Sequence, residues 1–131
     1  MKINEQVLRD IVRHGEKERP LEACGYLAGK EGVLSVYYPM TNLDKSAEHY
    51  SLDPKEQFAV LKEVRQRGLS ILGIAHTHPH SPARPSAEDI KLAYDPQLLY
   101  LIVSLAGEQP VAKGFWIRSG EVSTENLDKE Q

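Results

Sequence analysis

An almost continuous apolar run, LSILGIA at residues 69–75, passes directly into HTHP at residues 76–79, and it constrains the fold more than any other feature. A run of this length, bounded by turn residues, is typical of a strand buried in the middle of a sheet. Pro79 lacks the N–H that a further rung of the sheet would need, so it ends the strand. The segment predicts a central strand over residues 69–78 that carries His76 and His78 at its end.

These two histidines are candidate metal ligands. Residues two apart in a strand project from the same face, with Cβ atoms about 6–7 Å apart, so both imidazoles can reach one ion. His80 would continue the series only if the strand did, and Pro79 lets the chain turn away instead. We therefore interpret His76 and His78 as a pair and His80 as a bystander.

A third ligand is available from SAED at residues 86–89. Ser86 predicts the start of a short helix that runs to about Tyr94, and Asp89 lies in its first turn. Two histidines and an aspartate leave one tetrahedral position open, as in catalytic zinc sites. Related metals use the same ligands, although this donor set suits zinc. Two alternatives stay open: Ser86 and Asp89 also match a helix capping box, and a pair of histidines at a strand end is often a surface feature.

The rest of the chain alternates predicted helices and strands. A helix runs from Asn4, its N-cap, to about Glu18, and a hairpin joins strands near residues 24–28 and 33–39. The next helix is predicted to have Asp53 as N-cap, Pro54 at its first position, Gly68 as C-cap and an inward stripe of Phe58, Leu61 and Val64. Strands follow at residues 98–107 and 111–120, the second ending the sheet. We expect the charged tail after about residue 121 to be frayed.

This alternation predicts an α/β fold, a mixed central sheet flanked by helices, in one domain spanning residues 1–131. The net charge of −3 gives no electrostatic footprint for nucleic acid. No apolar run approaches the roughly 18 residues that a membrane span needs, and the N-terminus lacks an apolar leader, so we expect a cytoplasmic protein. The single cysteine, Cys24, excludes an intrachain disulfide and a cysteine-based zinc site, and we interpret it as a small buried residue.

Taken together, H-x-H-P, six residues and then S-x-x-D resemble the JAMM motif of the MPN-domain metalloproteases at each defining position. The upstream segment PLEACGYLAGK, residues 20–30, is similar to the segment of that family that bears a glutamate. The likeness covers nearly the whole chain and is strongest for the compact prokaryotic members. It implies a three-layer fold with an MPN core, which is related to the core of the cytidine deaminases.

The resemblance also implies a role for each motif residue. His76, His78 and Asp89 would bind one zinc ion per chain, Glu22 would act as general base on the attacking water, and Ser86 would stabilise the oxyanion. The role of Glu22 rests on the resemblance alone, since nothing in its spacing separates it from the other acids.

The family cleaves peptide or isopeptide bonds after ubiquitin-like C-termini, which often end in Gly-Gly. The resemblance therefore implies a zinc metallopeptidase whose partner is a ubiquitin-like sulfur-carrier protein. The alternative is a non-catalytic MPN-like module that retains zinc for protein interaction. A zinc deaminase would need H-x-E and P-C-x-x-C, and neither is present. His49 is a candidate for substrate contact.

Overall fold

The computed structural model describes residues 1–130. Within that range the chain forms eight strands and three helices. In chain order they are β1 (Lys2–Asn4), α1 (Glu5–Glu18), β2 (Cys24–Lys30), β3 (Val33–Met40), α2 (Pro54–Gln66), β4 (Ser70–His78), α3 (Ala87–Lys91), β5 (Leu99–Ser104), β6 (Val111–Arg118), β7 (Glu121–Glu125) and β8 (Asp128–Glu130).

The strands of the described range form one sheet in the order β7-β6-β5-β4-β2-β3-β1-β8. β4 is antiparallel to β2 and parallel to β5, so the sheet is mixed, as predicted. The apolar run of β4 lies inside the sheet with paired strands on both sides, which confirms the prediction of a central strand. Its histidine end lies beside the start of β2, because His76 pairs with Cys24.

Alternate residues of β4 face two different helical layers. Ala75 packs in a core cluster with Ile11 of α1, whereas Ile74 packs beside a second cluster together with Ile90 of α3. α2 lies on the same side as α3, because a side chain of α2 hydrogen-bonds to Tyr26, the cross-strand neighbour of Ile74. The fold is therefore the predicted three-layer α/β arrangement.

α1 begins where the sequence predicts. The side chain of Asn4 accepts a hydrogen bond of 2.8 Å from the Gln6 amide, which confirms Asn4 as the N-cap. The helix buries Val7, Ile11 and Gly15 against the sheet. The short strand β1 before it was not predicted; it pairs in parallel with β3.

α2 confirms its predicted start but not its predicted inward face. Asp53 caps it, yet Phe58 is 74% exposed and Leu61 is 44% exposed, while Val64 is 3% exposed. The predicted inward stripe is thus wrong for Phe58 and Leu61. A spacing of three residues turns the helix back by about 60° at each step, so Phe58 and Val64 point about 120° apart and cannot both face the sheet.

Two helix ends differ from prediction by a few residues. Gly68, predicted as the C-cap of α2, lies one residue beyond the observed cap Arg67 and has a φ of +70°, the conformation that favours glycine there. α3 is shorter than expected, because Leu92 already caps it. Ser86 is its N-cap, as predicted.

The tail after residue 121 is not frayed as predicted, and the sheet does not end at β6. Ser119 and Gly120 have φ angles of +52° and +80°, as in a tight hairpin turn, and β7 returns along β6 from there. β8 then pairs in parallel with β1 at the opposite edge of the sheet. The charged tail is ordered because β7 pairs with the preceding strand β6 and β8 pairs with β1, at the other end of the chain. No helix among residues 1–130 is long and apolar enough to cross a membrane.

Candidate metal centre

His76 and His78 lie side by side at the end of β4. Their Nε2 atoms are 3.2 Å apart and their ring centroids 5.0 Å apart. Both rings are buried, with 1% and 3% of the residue surface exposed. The strand geometry therefore aims two ring nitrogens at one point, as the two-residue spacing predicts, and His80 is exposed beyond Pro79.

Asp89 reaches the same point from α3. Its Oδ1 lies 3.2 Å from the His76 Nε2, and its Oδ2 lies 3.0 Å from the His78 Nε2. The capping box of α3 holds this carboxylate: the Ser86 amide donates to Asp89 Oδ2, and the Asp89 amide donates to Ser86 Oγ, both at 3.0 Å. The capping and metal-ligand interpretations of Asp89 are therefore compatible in geometry.

The tautomer of neutral His78 follows from its other ring nitrogen. Nδ1 lies 2.8 Å from the carbonyl oxygen of Pro82, which can only accept a hydrogen bond. Nδ1 must therefore carry the proton, which leaves the Nε2 lone pair directed at His76 and Asp89. An imidazole fixed in this way by a backbone carbonyl is typical of metal-binding histidines.

Glu22 approaches the histidine pair from the segment just before β2. Its Oε2 lies 4.0 Å from the His78 Nε2, and the residue is only 3% exposed. Burial raises the pKa of Glu22 to about 8, against the opposing charge effect of His78. A carboxyl with this pKa can take up or release a proton near neutral pH, as a general base requires.

The two imidazoles, of His76 and His78, and the Asp89 carboxylate shift one another's pKa values. Burial alone would raise the pKa of Asp89, but hydrogen bonds with His76 and His78 outweigh it, and the pKa lies well below its usual value. Burial lowers the pKa of His76. Burial alone would also lower the pKa of His78. The hydrogen bond with Asp89 acts in the opposite direction, and the pKa of His78 lies above its ordinary value. Asp89 is thus a carboxylate at neutral pH.

The cluster fits a metal ion by its donor chemistry. Ligand atoms of Glu22, His76 and His78 all lie within 4.8 Å of one another, and Asp89 contacts both rings. Within residues 1–130, Glu22 Oε1 and His76 Nδ1 are buried side-chain atoms without a hydrogen-bond partner. Buried polar groups are normally paired, so a cluster with unpaired atoms and converging lone pairs is better explained by a bound cation than by structure alone.

Ser86 lies at the rim of the cluster and is exposed. Its Oγ accepts the capping hydrogen bond, so the hydroxyl proton remains available for donation. Geometry thus allows both interpretations of Ser86, as cap and as donor, and its catalytic role stays a prediction.

The remaining polar residues singled out by sequence lie outside the cluster. His49 is held by Asp44, with Nδ1 2.8 Å from Oδ2. Cys24 is fully buried, and burial raises the pKa of its thiol to about 12, so the thiol stays protonated at neutral pH. Cys24 therefore behaves as the small buried residue that the sequence indicates.

Tyr50 is a site residue that the sequence does not predict. Its ring centroid lies 4.7 Å from that of His76, with the ring planes inclined by 31°. It also lines a groove of about 580 Å³, which Asp89 of the cluster lines as well. The groove walls combine apolar and aromatic side chains with polar ones, and His49, the candidate for substrate contact, is among them. The aromatic and aliphatic part includes Tyr26, Tyr50, Leu52, Ile74 and Tyr100, and the acidic part is Asp44, Asp89 and Asp95. No local pattern marks Tyr50, because it stands in a polar loop without periodicity.

Comparison with known proteins assigns the family. Residues 4–118 match the family model described as prokaryotic homologs of the JAB domain. The chain belongs to this Prok-JAB family. The match spans both the segment of Glu22 and the whole histidine and aspartate motif, so the resemblance seen in the sequence is confirmed.

Several relatives have names that state an activity, among them a peptidase and a desampylase. The CysO-cysteine peptidase of Mycobacterium tuberculosis is 36% identical over 104 residues, which cover 78% of this Prok-JAB chain and 71% of the relative. The desampylase of Pyrococcus furiosus is 36% identical over 89 residues, which cover 67% of the chain and 63% of the relative.

Solved structures agree on the fold. A protein of Desulfitobacterium hafniense superimposes with a TM-score of 0.92 at 41% identity, over 99% of this chain and 92% of that one. A JAB1/MPN domain protein from Archaeoglobus fulgidus superimposes with a TM-score of 0.68 at 23% identity, over the whole of both chains. The α/β fold is that of the JAB1/MPN domain.

Proposed function

We propose that this Prok-JAB chain is a cytoplasmic zinc metallopeptidase that hydrolyses a peptide or isopeptide bond after the Gly-Gly C-terminus of a ubiquitin-like sulfur-carrier protein. The proposal is carried by the convergence of His76, His78 and Asp89 beside the buried carboxyl of Glu22. Relatives named as a peptidase and a desampylase support a hydrolytic enzyme.

His76, His78 and Asp89 would hold the ion. Zinc bound there supplies Lewis acidity, which polarises a carbonyl and makes water a better nucleophile at neutral pH. The chain orients these ligands from outside: the Pro82 carbonyl fixes the His78 ring, and the Ser86 amide fixes the Asp89 carboxylate. Because these hydrogen bonds orient the ligands before substrate binds, less free energy is needed to bring them into position during the reaction.

Glu22 would move the protons. In this role its carboxylate takes a proton from the attacking water and delivers it to the leaving amine. Burial holds the pKa of Glu22 at about 8, and a cation beside the carboxyl would lower it, because opposite charge favours the ionised form. A base that ionises near the working pH suits both halves of this proton transfer.

Ser86 would stabilise the negative charge that develops on the carbonyl oxygen. Its oxygen is occupied as the acceptor of the Asp89 amide, which leaves its proton free to be donated. Removing one oxyanion donor from a hydrolase can cost about 10²–10³-fold in kcat, so Ser86→Ala is expected to lower kcat by about that factor.

The groove beside Tyr50 is a binding site for an extended substrate tail in this proposal. It reaches the cluster at Asp89 and is walled by the rings of Tyr26, Tyr50 and Tyr100. A Gly-Gly tail has no side chains, so its backbone can approach such walls closely. The peptide or isopeptide bond after the tail would then lie at the metal cluster.

The test uses the full chain, loaded with zinc, and carrier proteins that bear a short extension after Gly-Gly. Wild type is expected to release the extension, and Glu22→Gln, which keeps the shape of the side chain, should bind zinc equally and cleave at least about 10²-fold more slowly. A matched substrate ending in Ala-Ala before the extension should be cleaved poorly.

Two results would count against the proposal. Zinc-loaded wild type that cleaves no Gly-Gly-extended carrier would refute the substrate assignment. Binding of a carrier without cleavage, with no change in Glu22→Gln, would favour the non-catalytic interaction module instead.

A further inference from the structure

The peptide segment that carries Glu22 is fixed by hydrogen bonds from two sides. On one side, the Glu22 amide donates to the Ser46 carbonyl at 2.8 Å, and the Asn42 side-chain amide donates to the Glu22 carbonyl at 3.0 Å. On the other side, the Ala23 amide donates to Thr77 Oγ1 at 2.9 Å, and the Thr77 amide donates to the Ala23 carbonyl at 3.0 Å. All four backbone polar groups of Glu22 and Ala23 are therefore paired.

The carboxyl group of Glu22 has no comparable anchor of its own. Its Oε1 lacks a partner within residues 1–130, and its Oε2 lies 4.0 Å from the His78 Nε2, beyond hydrogen-bond distance. Glu22 also precedes the first ladder pair of β2, which begins at Cys24. The backbone bonds therefore fix the point of the main chain from which the Glu22 side chain reaches toward His78.

Asn42 is the side chain at the centre of these bonds. It is 4% exposed and uses both ends of its amide. Its Nδ2 donates to the carbonyls of Glu22 at 3.0 Å and His49 at 3.1 Å, which accounts for both amide hydrogens, with the Ser46 carbonyl further away at 3.4 Å. Its Oδ1 accepts from the backbone amides of Asp44 and Ser51.

The loop around Asn42 contacts the metal cluster at a second point. Its two ends are joined by a bridge between Asn42 and Leu52 and by the bond from the Leu43 amide to the Ser51 carbonyl at 3.0 Å. Tyr50, on this closed loop, packs on His76. The same loop thus supports the base segment on one side and a ligand ring on the other.

We propose that Asn42 is a positioning residue for Glu22: its side-chain amide fixes the Glu22 carbonyl and so sets the carboxyl in place over the histidine pair. The inference rests on the proposed function for its effect on activity. A general base must be held close to its productive position, and a shift of about 1 Å can cost on the order of 10²-fold in rate.

The decisive variant is Asn42→Asp. It keeps the shape of the side chain and the oxygen that accepts from Asp44 and Ser51. It replaces the donor with an acceptor that faces the Glu22 and His49 carbonyls. Asn42→Ala, which removes both ends, is the second variant. Thr41→Val is the matched control, because it deletes only the hydroxyl bond from the neighbouring exposed residue to Glu56, 2.8 Å long.

Two measurements are made on each protein. Amide hydrogen exchange, followed by NMR, is expected to be at least about tenfold faster at Glu22 in both Asn42 variants, while the Ala23 amide, bonded to Thr77, keeps its protection. Steady-state kinetics on an extended carrier should show kcat lowered by about 10- to 100-fold in Asn42→Asp, with KM within about twofold and zinc still at one per chain. Thr41→Val should match wild type in both measurements.

A merely structural role would give a different pattern. Val64 of α2 is 3% exposed, so Val64→Ala creates a cavity there. This variant should lower the melting temperature, while kcat of the folded protein stays at the wild-type value. Unchanged exchange at Glu22 in Asn42→Asp, or faster exchange with unchanged kcat, would overturn the positioning role. If wild type cleaves no carrier, the proposed function fails, and the exchange of the Glu22 amide alone decides the role of Asn42.

Discussion

Gly15 of α1 lies directly against Thr77 of β4. A Cβ atom added to Gly15 would come within 2.7 Å of Thr77 Cγ2 and within 2.8 Å of Leu105 Cδ1. This close approach explains a glycine in the middle of a helix, where it is normally unfavourable. It also brings α1 into contact with Thr77, which lies between the two histidines in sequence and points to the opposite face of the strand.

Gly15→Ala is therefore expected to destabilise the protein. Alanine would gain about 1 kcal/mol in helix propensity, but overpacking a core typically costs about 1–3 kcal/mol, and the β-branched Thr77 has little freedom to move. We expect a net loss of about 1–2 kcal/mol in the free energy of unfolding, measured by urea denaturation. The exposed neighbour Glu16→Ala should change it by less than about 0.5 kcal/mol. Equal stability of the two variants would contradict this explanation.

Thr77→Val tests the other side of the Glu22 segment. Valine keeps the shape of threonine but leaves the buried Ala23 amide without its acceptor, which should cost about 1–3 kcal/mol of stability. Because Ala23 follows Glu22, we also expect a lower kcat. Thr77→Ser keeps the hydroxyl and loses only a methyl, so it should retain most of the activity although it too is destabilised. Activity equal in the valine and serine variants would show that this bond does not position the base.

The sequence predicts the parts of the fold that local patterns encode. The apolar run of β4, the caps Asn4, Asp53 and Ser86, and the end of β4 at Pro79 all follow from period, capping chemistry and backbone geometry, and the structure confirms them. The common face of His76 and His78 follows from the two-residue period of a strand for the same reason.

Other features depend on contacts between distant residues. The exposure of Phe58 depends on how α2 lies on the sheet, and the order of the tail depends on pairing between β8 and β1, at opposite ends of the chain. Asn42 and Tyr50 stand in a loop without periodicity, and their importance appears only once the chain brings Glu22 and His76 beside them. Glu22 itself could be found only through the family resemblance.

Metal content separates the predicted ligands from their neighbours. His76→Ala, His78→Ala and Asp89→Asn should each lower the bound zinc well below one ion per chain, because three protein ligands leave no substitute for a lost one. His80→Ala, at an exposed position beyond Pro79, should keep full occupancy. Elemental analysis of the purified proteins by mass spectrometry measures this directly. Loss of zinc from His80→Ala would show that the proposed ligand set is wrong.

His14 is expected to make the protein less stable as the pH falls below about 6.5. Its Nδ1 lies 2.7 Å from the Tyr37 hydroxyl. Burial lowers the pKa of His14, and the positive charge of Lys17 lowers it further. The negative charges of Glu18 and Glu56 raise it by less, so the pKa lies below the ordinary value. Between the lowered folded pKa and the ordinary value of 6.5, the unfolded chain binds more protons at this residue than the folded chain does. The His14 contribution to the unfolding free energy therefore falls as the pH drops through that window.

The measurement compares wild type with His14→Gln by urea unfolding at pH 7.5, 6.0 and 5.0. Glutamine can still accept a hydrogen bond but does not titrate, so the variant should lose less stability between pH 7.5 and 5.0 than wild type does. The other titrating groups are common to both proteins, so the difference between the two pH profiles measures His14 together with its charge interactions with Lys17, Glu18 and Glu56. An equal or steeper loss in His14→Gln would mean that His14 is protonated as readily in the folded chain as in the unfolded one.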